Sequence, residues 1–174
     1  LRNNLEQEAE DQKEGMIRQR LVAQAVEQAE MDIPEEMIES QTDLLLQRFE
    51  ERLYYQGLKL EDYVQMAGTS LEQIRQDMKP QAEQSVRENL VLETIAKQRD
   101  LKVTDEDFDK QIEKAAQEFG MEVEAVRPSL EGSRQRIEYG VLLDKAVDYL
   151  KEHADITVLE EQSDTNEEIS GEGK

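Results

Sequence analysis

Tyr55-Gln56-Gly57-Leu58-Lys59-Leu60-Glu61-Asp62-Tyr63, followed five residues later by Gly68-Thr69-Ser70, decides how the chain folds. Gly57 stands where a helix must end, because glycine takes the left-handed conformation of a C-cap with no Cβ penalty. Leu60–Ala67 then has room for two turns of helix before Gly68 stops it. Thr69 or Ser70 offers a side-chain oxygen to start the next helix, with Glu72 and Gln73 in its first turn. The stretch is the turn of a helical hairpin.

The flanking segments are its two limbs. Upstream, Pro34-Glu35-Glu36 opens a helix over about 34–56: proline loses no needed N–H there, and acids suit the positive end of the dipole. Ile38, Leu45, Phe49 and Leu53 share one face at helical spacing, while Met37, Leu44 and Tyr55 form a second, narrower line. Downstream, a helix over about 70–99 carries a seam of Leu71, Ile74, Met78, Ala82 and Val86, with Pro80 expected to kink it. Its end, Leu90 to Ala96, is densely apolar.

A second hairpin follows the same plan and is shorter. Thr104-Asp105-Glu106-Asp107 opens a helix with the stripe Phe108, Ile112, Ala115 and Phe119, and Gly120 stops it. A short helix over about 122–131 contains Pro128, which limits its regularity, and a last helix over about 133–152 is apolar on most sides. The opening helix, about 2–30, has a thin stripe (Leu5, Ala9, Met16, Ala23) that gives way to Ile17, Leu21, Val22, Ala25 and Val26. Almost nothing favours strands. These segments predict an all-α chain with an elongated helical body, built from the dense stretches 17–29, 90–96 and 141–150, and two projecting hairpin arms. The boundaries are a connecting helix at 1–30, a first arm and return at about 34–99, a second arm at about 104–134 and a body helix at 135–152. Residues 158–174, rich in Glu and Asp with almost no apolar side chains, are expected to be a disordered acidic tail beyond the 1–157 domain.

Composition excludes several kinds of function. The chain has 174 residues, with 42 acidic side chains against 21 basic ones, a net charge of -21. Nucleic-acid binding relies on Lys and Arg displacing counterions, so direct contact with a phosphate backbone is disfavoured. Cysteine is absent and His153 is the single histidine, so thiolate chemistry, a His-based dyad and a zinc site all lack their residues. No metal ligand set and no cofactor motif is present: Asp105-Glu106-Asp107-Phe108-Asp109 lacks the central glycine of a calcium loop, and no glycine-rich phosphate cradle occurs. No run approaches the roughly 20 apolar residues of a membrane span. The chain begins at Leu1, which suggests a piece of a longer protein. No residue stands out as catalytic.

What remains is recognition by surface. Two long amphipathic hairpins have more inner face than so lean a chain can cover. The candidate peptide-binding residues are Met37, Leu44 and Tyr55 on the second line, Leu58, Tyr63 and Met66 at the first hairpin end, and Phe119, Met121 and Val126 at the other. Methionine-containing patches adapt to varied apolar segments. The alternative is that these side chains only cap the hairpins by packing on their own helices. The -21 field favours partners that mix apolar residues with Lys and Arg, blurred locally by Arg48, Arg52 and Lys59.

The string from Tyr55 to Tyr63 with Gly68-Thr69 resembles the C-terminal domain of bacterial trigger factor. Ile33-Pro34-Glu35-Glu36-Met37-Ile38 and Leu44-Leu45-Leu46-Gln47-Arg48-Phe49-Glu50 are similar to that family's first arm, and Val103-Thr104-Asp105-Glu106 to the start of its second. The resemblance covers about residues 1–157. It implies a cytoplasmic, ATP-independent chaperone domain that cradles unfolded or nascent polypeptides, assisting folding and export. The family's ribosome-docking signature, G-F-R-x-G-K, and its peptidyl-prolyl isomerase domain do not occur here, so ribosome contact and isomerase activity would belong to parts outside this chain. Two alternatives stay open: the helical chaperone domain of a secreted parvulin-type isomerase, and a structural helical adaptor. Assembly as a homodimer also stays open.

Overall fold

The computed structural model describes residues 2–154; within the first helix, side chains are described at Glu10 and from Gln12 onward. The expected acidic tail, 158–174, lies outside the described residues. Among those described there are seven helices and no strand: α1 (Arg2–Glu27), α2 (Glu35–Tyr55), α3 (Leu60–Ala67), α4 (Leu71–Gln98), α5 (Asp105–Phe119), α6 (Val123–Glu131) and α7 (Arg134–His153).

Their ends follow from local chemistry. Ser70 caps α4 by accepting a hydrogen bond from the Gln73 N–H at 3.1 Å. At α5, Asp107 N–H donates to Thr104 Oγ1 at 3.3 Å, and Thr104 N–H donates to Asp107 Oδ2 at 2.8 Å. This reciprocal capping box satisfies two donors that a helix start otherwise leaves free. Gly68 (φ 63°) and Gly120 (φ 62°) close α3 and α5 in the left-handed conformation.

Packing sorts the helices into a body and two hairpins. Val22 of α1, Leu92 and Ala96 of α4, and Ala146 and Val147 of α7 form the buried centre of the body. Val26, Ile95, Leu142, Leu143 and Leu150 close around it. Arg18 reaches from α1 to Asp144 (2.9 Å) and Asp148 (2.6 Å) of α7, and Lys151 of α7 returns to Glu14 at 2.6 Å. The N-terminal half of α4 packs along α2, which also carries α3. Glu35 and Asp43 of α2 pair with Lys79 (2.7 Å) and Arg75 of α4. The second hairpin, α5 and α6, packs on α7. Its root is fixed by Lys145, which donates to Asp107 Oδ2 at 2.6 Å and to the Lys102 carbonyl at 2.9 Å.

Several sequence expectations need correction. In α5 the buried line is Phe108, Ile112 and Ala116; Ala115 is half-buried and Phe119 is exposed. The i, i+4 spacing continues one position past the expected residue, which turns Phe119 to water. In α2 the fully buried residue between Ile38 and Leu53 is Thr42, at 0% exposure. Its hydroxyl donates to the Ile38 carbonyl at 2.7 Å, so no polar group is left unpaired. Leu45 and Phe49, expected on that stripe, are only half-buried. Helix α1 ends at Glu27 rather than near residue 30, and α6 runs unbroken through Pro128.

Candidate functional site

An open groove of about 840 Å³ lies between α2, α4 and the start of α7. Met37, Leu44 and Arg48 line it from α2, Val86 and Leu90 from α4, and Arg136 and Tyr139 from α7. Met37 and Leu44 are 40% and 41% exposed. They lie apart from the buried Ile38 and Leu53, because one helix cannot turn both lines toward α4 at full burial. Carboxylates of Glu36, Glu88 and Glu93 stand among the apolar side chains. Tyr139 donates its hydroxyl to Glu93 Oε1 at 2.5 Å, linking α7 to α4. Partial burial of the phenol, reinforced by the Glu93 carboxylate beside it, pushes the Tyr139 pKa up to about 12.

The other candidates fall at the hairpin ends and do not join the groove. Tyr55 is 88% exposed and Met66 78%. Tyr55 sits beside Tyr54 (ring centroids 6.3 Å apart), and the two line a shallow depression of about 330 Å³ with Gln47, Glu50 and Glu51. Leu58 and Tyr63 are half-buried. The Tyr63 ring meets Phe49 edge-on at 5.1 Å, so Tyr63 braces α3 against α2. On the second hairpin Phe119 is 68% exposed and Met121 is also exposed, on either side of Gly120. Val126 is corrected: at 6% exposure it is buried and presents no surface.

Sequence reasoning missed the third wall of the groove, Arg136 and Tyr139. The available signal was Tyr139 standing in α7 just ahead of the dense Val141–Val147 stretch. Among the described residues, no group of three or more His, Cys, Asp or Glu side chains converges as metal ligands, and no helix is long and apolar enough to cross a membrane.

Comparison with known proteins adds identity to this geometry. A family model described as "Bacterial trigger factor protein (TF) C-terminus" matches residues 1–152. The chain belongs to that family. Trigger factor of Syntrophomonas wolfei is 36% identical over 163 residues, covering 90% of this chain and 37% of the relative. Trigger factor of Bacillus thuringiensis is 40% identical over 154 residues, covering 88% and 36%. The chain thus spans a little over a third of the length of the curated trigger factors it matches. A solved structure concerned with domains of trigger factor from Thermotoga maritima superposes with a TM-score of 0.58. It covers 80% of this chain and 81% of that one at 21% identity, a likeness that carries the fold alone.

Proposed function

We propose that this domain is an ATP-independent chaperone module that holds unfolded or nascent polypeptide segments, working in the cytoplasm as part of a longer trigger factor. Membership of the trigger factor family supports the chaperone role. The observation that carries the binding mode is the open groove, where Met37, Leu44 and Leu90 remain in reach of solvent between charged side chains. A globular domain rarely leaves such side chains together without a partner to cover them. Exposed Tyr55 and Met66 on one hairpin and Phe119 and Met121 on the other provide further contact points. The two hairpins act as projecting arms around the held segment. Catalysis is not part of this role; prolyl isomerisation and ribosome docking belong to other domains of the longer protein.

The test is suppression of aggregation of a chemically unfolded protein, in the absence of ATP. The unsubstituted chain is expected to slow aggregation at stoichiometric ratios. The triple variant Met37→Ser, Leu44→Ser, Met66→Ser is expected to keep its helical circular dichroism, since all three side chains are exposed, and to lose most of that protection. No suppression by the unsubstituted chain overturns the chaperone role. Full suppression by the folded variant removes these residues from the site and leaves Phe119 and Met121 as the next candidates.

A further inference from the structure

Sulfur in this chain is carried by methionine alone: there are six, and cysteine is absent. An oxidant that meets the protein therefore finds thioethers and no thiol. Their placement is uneven. Met16, Met37, Met66 and Met121 are exposed, and Met31 and Met78 are half-buried. None belongs to the buried core, whose apolar side chains are Val, Ile, Leu, Ala and Phe. Oxidation at the exposed sulfurs changes surface polarity and leaves that packing untouched.

Three of the four exposed methionines stand on the surfaces proposed above to hold polypeptide. Met37 lines the groove with Leu44. Met66 lies near the C-terminal end of α3, at the end of the first hairpin. Met121 follows Gly120 at the end of the second, with Phe119 exposed on the other side of the glycine. Met16 is equally open, at 64% exposure, but belongs to none of these surfaces. It lies on α1 between Glu14 and Arg18, which pair with α7.

We propose that Met37, Met66 and Met121 form a reversible oxidation switch on polypeptide holding. With hydrogen peroxide as oxidant, the thioether sulfur attacks one peroxide oxygen, and the O–O bond breaks as the S–O bond forms. The proton on the transferred oxygen passes to the departing hydroxide, which leaves as water. Sulfur loses two electrons and the peroxide gains them. The sulfoxide places a polar acceptor oxygen where an apolar side chain had been. Covering it with an apolar segment removes its water and returns no hydrogen bond, which weakens that contact by about two- to thirty-fold. One reagent thus alters three separate contact surfaces while the core stays packed. Methionine sulfoxide reductases reverse the change. This regulation rests on the polypeptide-binding role above and adds to it.

The test repeats the aggregation assay on the full chain before and after mild hydrogen peroxide, with peptide mass spectrometry to locate the added oxygen. The treated chain is expected to carry it at Met16, Met37, Met66 and Met121, to keep its helical circular dichroism and Tm, and to lose most of its protection. Sulfoxide reductases A and B with dithiothreitol are expected to restore that protection. In the triple variant Met37→Leu, Met66→Leu, Met121→Leu, the ratio of treated to untreated protection is expected to stay near one, whatever its starting level. Met16→Leu is expected to respond to peroxide as the unsubstituted chain does. Full protection by a chain oxidised at all three positions overturns the switch. So does a loss that the reductases do not reverse, or one that comes with unfolding. Failure of the untreated, unsubstituted chain to suppress aggregation overturns the polypeptide-binding role itself.

Discussion

Tyr139 gives its hydroxyl proton to a hydrogen bond with Glu93 while part of its ring is withdrawn from water, and both circumstances oppose ionisation. Burial contributes more than the carboxylate. A phenol whose pKa is raised in the folded state stabilises that state fully below the ordinary value of 10.0, and the contribution is lost as pH rises toward about 12. In an ultraviolet titration Tyr139 is expected to ionise well above the ordinary phenol value of 10.0. Glu93→Gln is expected to bring that late step down part of the way, because burial remains. A Tyr139 step at the ordinary phenol value of 10.0 would show that neither the burial nor the Glu93 contact holds. The residue scale is also where sequence was least legible. Phe49 and Phe108 carry similar spacing signals, yet Phe108 is buried beneath the Arg134 guanidinium (4.6 Å from its ring centroid) and Phe49 is half open. Which aromatic is covered depends on the neighbouring helix, and a single helix's periodicity contains no term for that.

At the scale of elements the helix ends were legible, because caps are made by residues adjacent in sequence. Thr104→Ala removes the side-chain acceptor of the α5 capping box and is expected to cost about 1 kcal/mol in urea unfolding. Gly120→Ala and Gly132→Ala separate backbone strain from crowding. At Gly120 a Cβ would meet no atom within 4 Å, but the positive φ remains, so a cost of about 1–2 kcal/mol is expected. Gly132 has φ -60° and only an ordinary contact of 3.7 Å with the Ser129 carbonyl oxygen. The same substitution there is expected to be neutral or to stabilise by up to about 1 kcal/mol. Equal effects at the two glycines would contradict the left-handed cap. Thr42 and the groove were not legible for a related reason. A threonine satisfied by its own helix can occupy a core position, and a groove needs the crossing of three helices that sequence spacing does not specify.

Ionic clamps between helices give the whole molecule an acid limit. Lys145 and the Thr104 backbone and hydroxyl hold the Asp107 carboxyl well below its ordinary value of 3.8. Lys151 lowers Glu14 in the same sense. A carboxylate with a depressed folded pKa contributes stability above its unfolded value, and that contribution is lost as pH falls toward the folded value. The difference in Tm between the unsubstituted chain and Asp107→Asn is therefore expected to be constant above about pH 5 and to shrink below 3.8. A gap that persists into strong acid would assign the effect to packing. Shape belongs to this scale too. Helix α4 spans about 42 Å, yet it joins the buried body centre through Leu92, Ile95 and Ala96 near its C-terminal end. Small-angle scattering is expected to give a radius of gyration above the roughly 16 Å of a compact globule of this length. A profile that fits a sphere would remove the arms.

Because α4 passes without interruption from the body into the first hairpin, the reach of that hairpin is a stepped variable. One residue added to α4 turns everything beyond it by about 100°, which would carry Ile74 and Ala82 out of phase with α2. Seven residues added to α4 and matched in α2 would lengthen the hairpin by about 10 Å while turning its tip by only about 20°. Tolerated length changes should therefore come in pairs and in units of two helical turns, so that Tyr55 and Met66 move outward along the axis with little rotation about it.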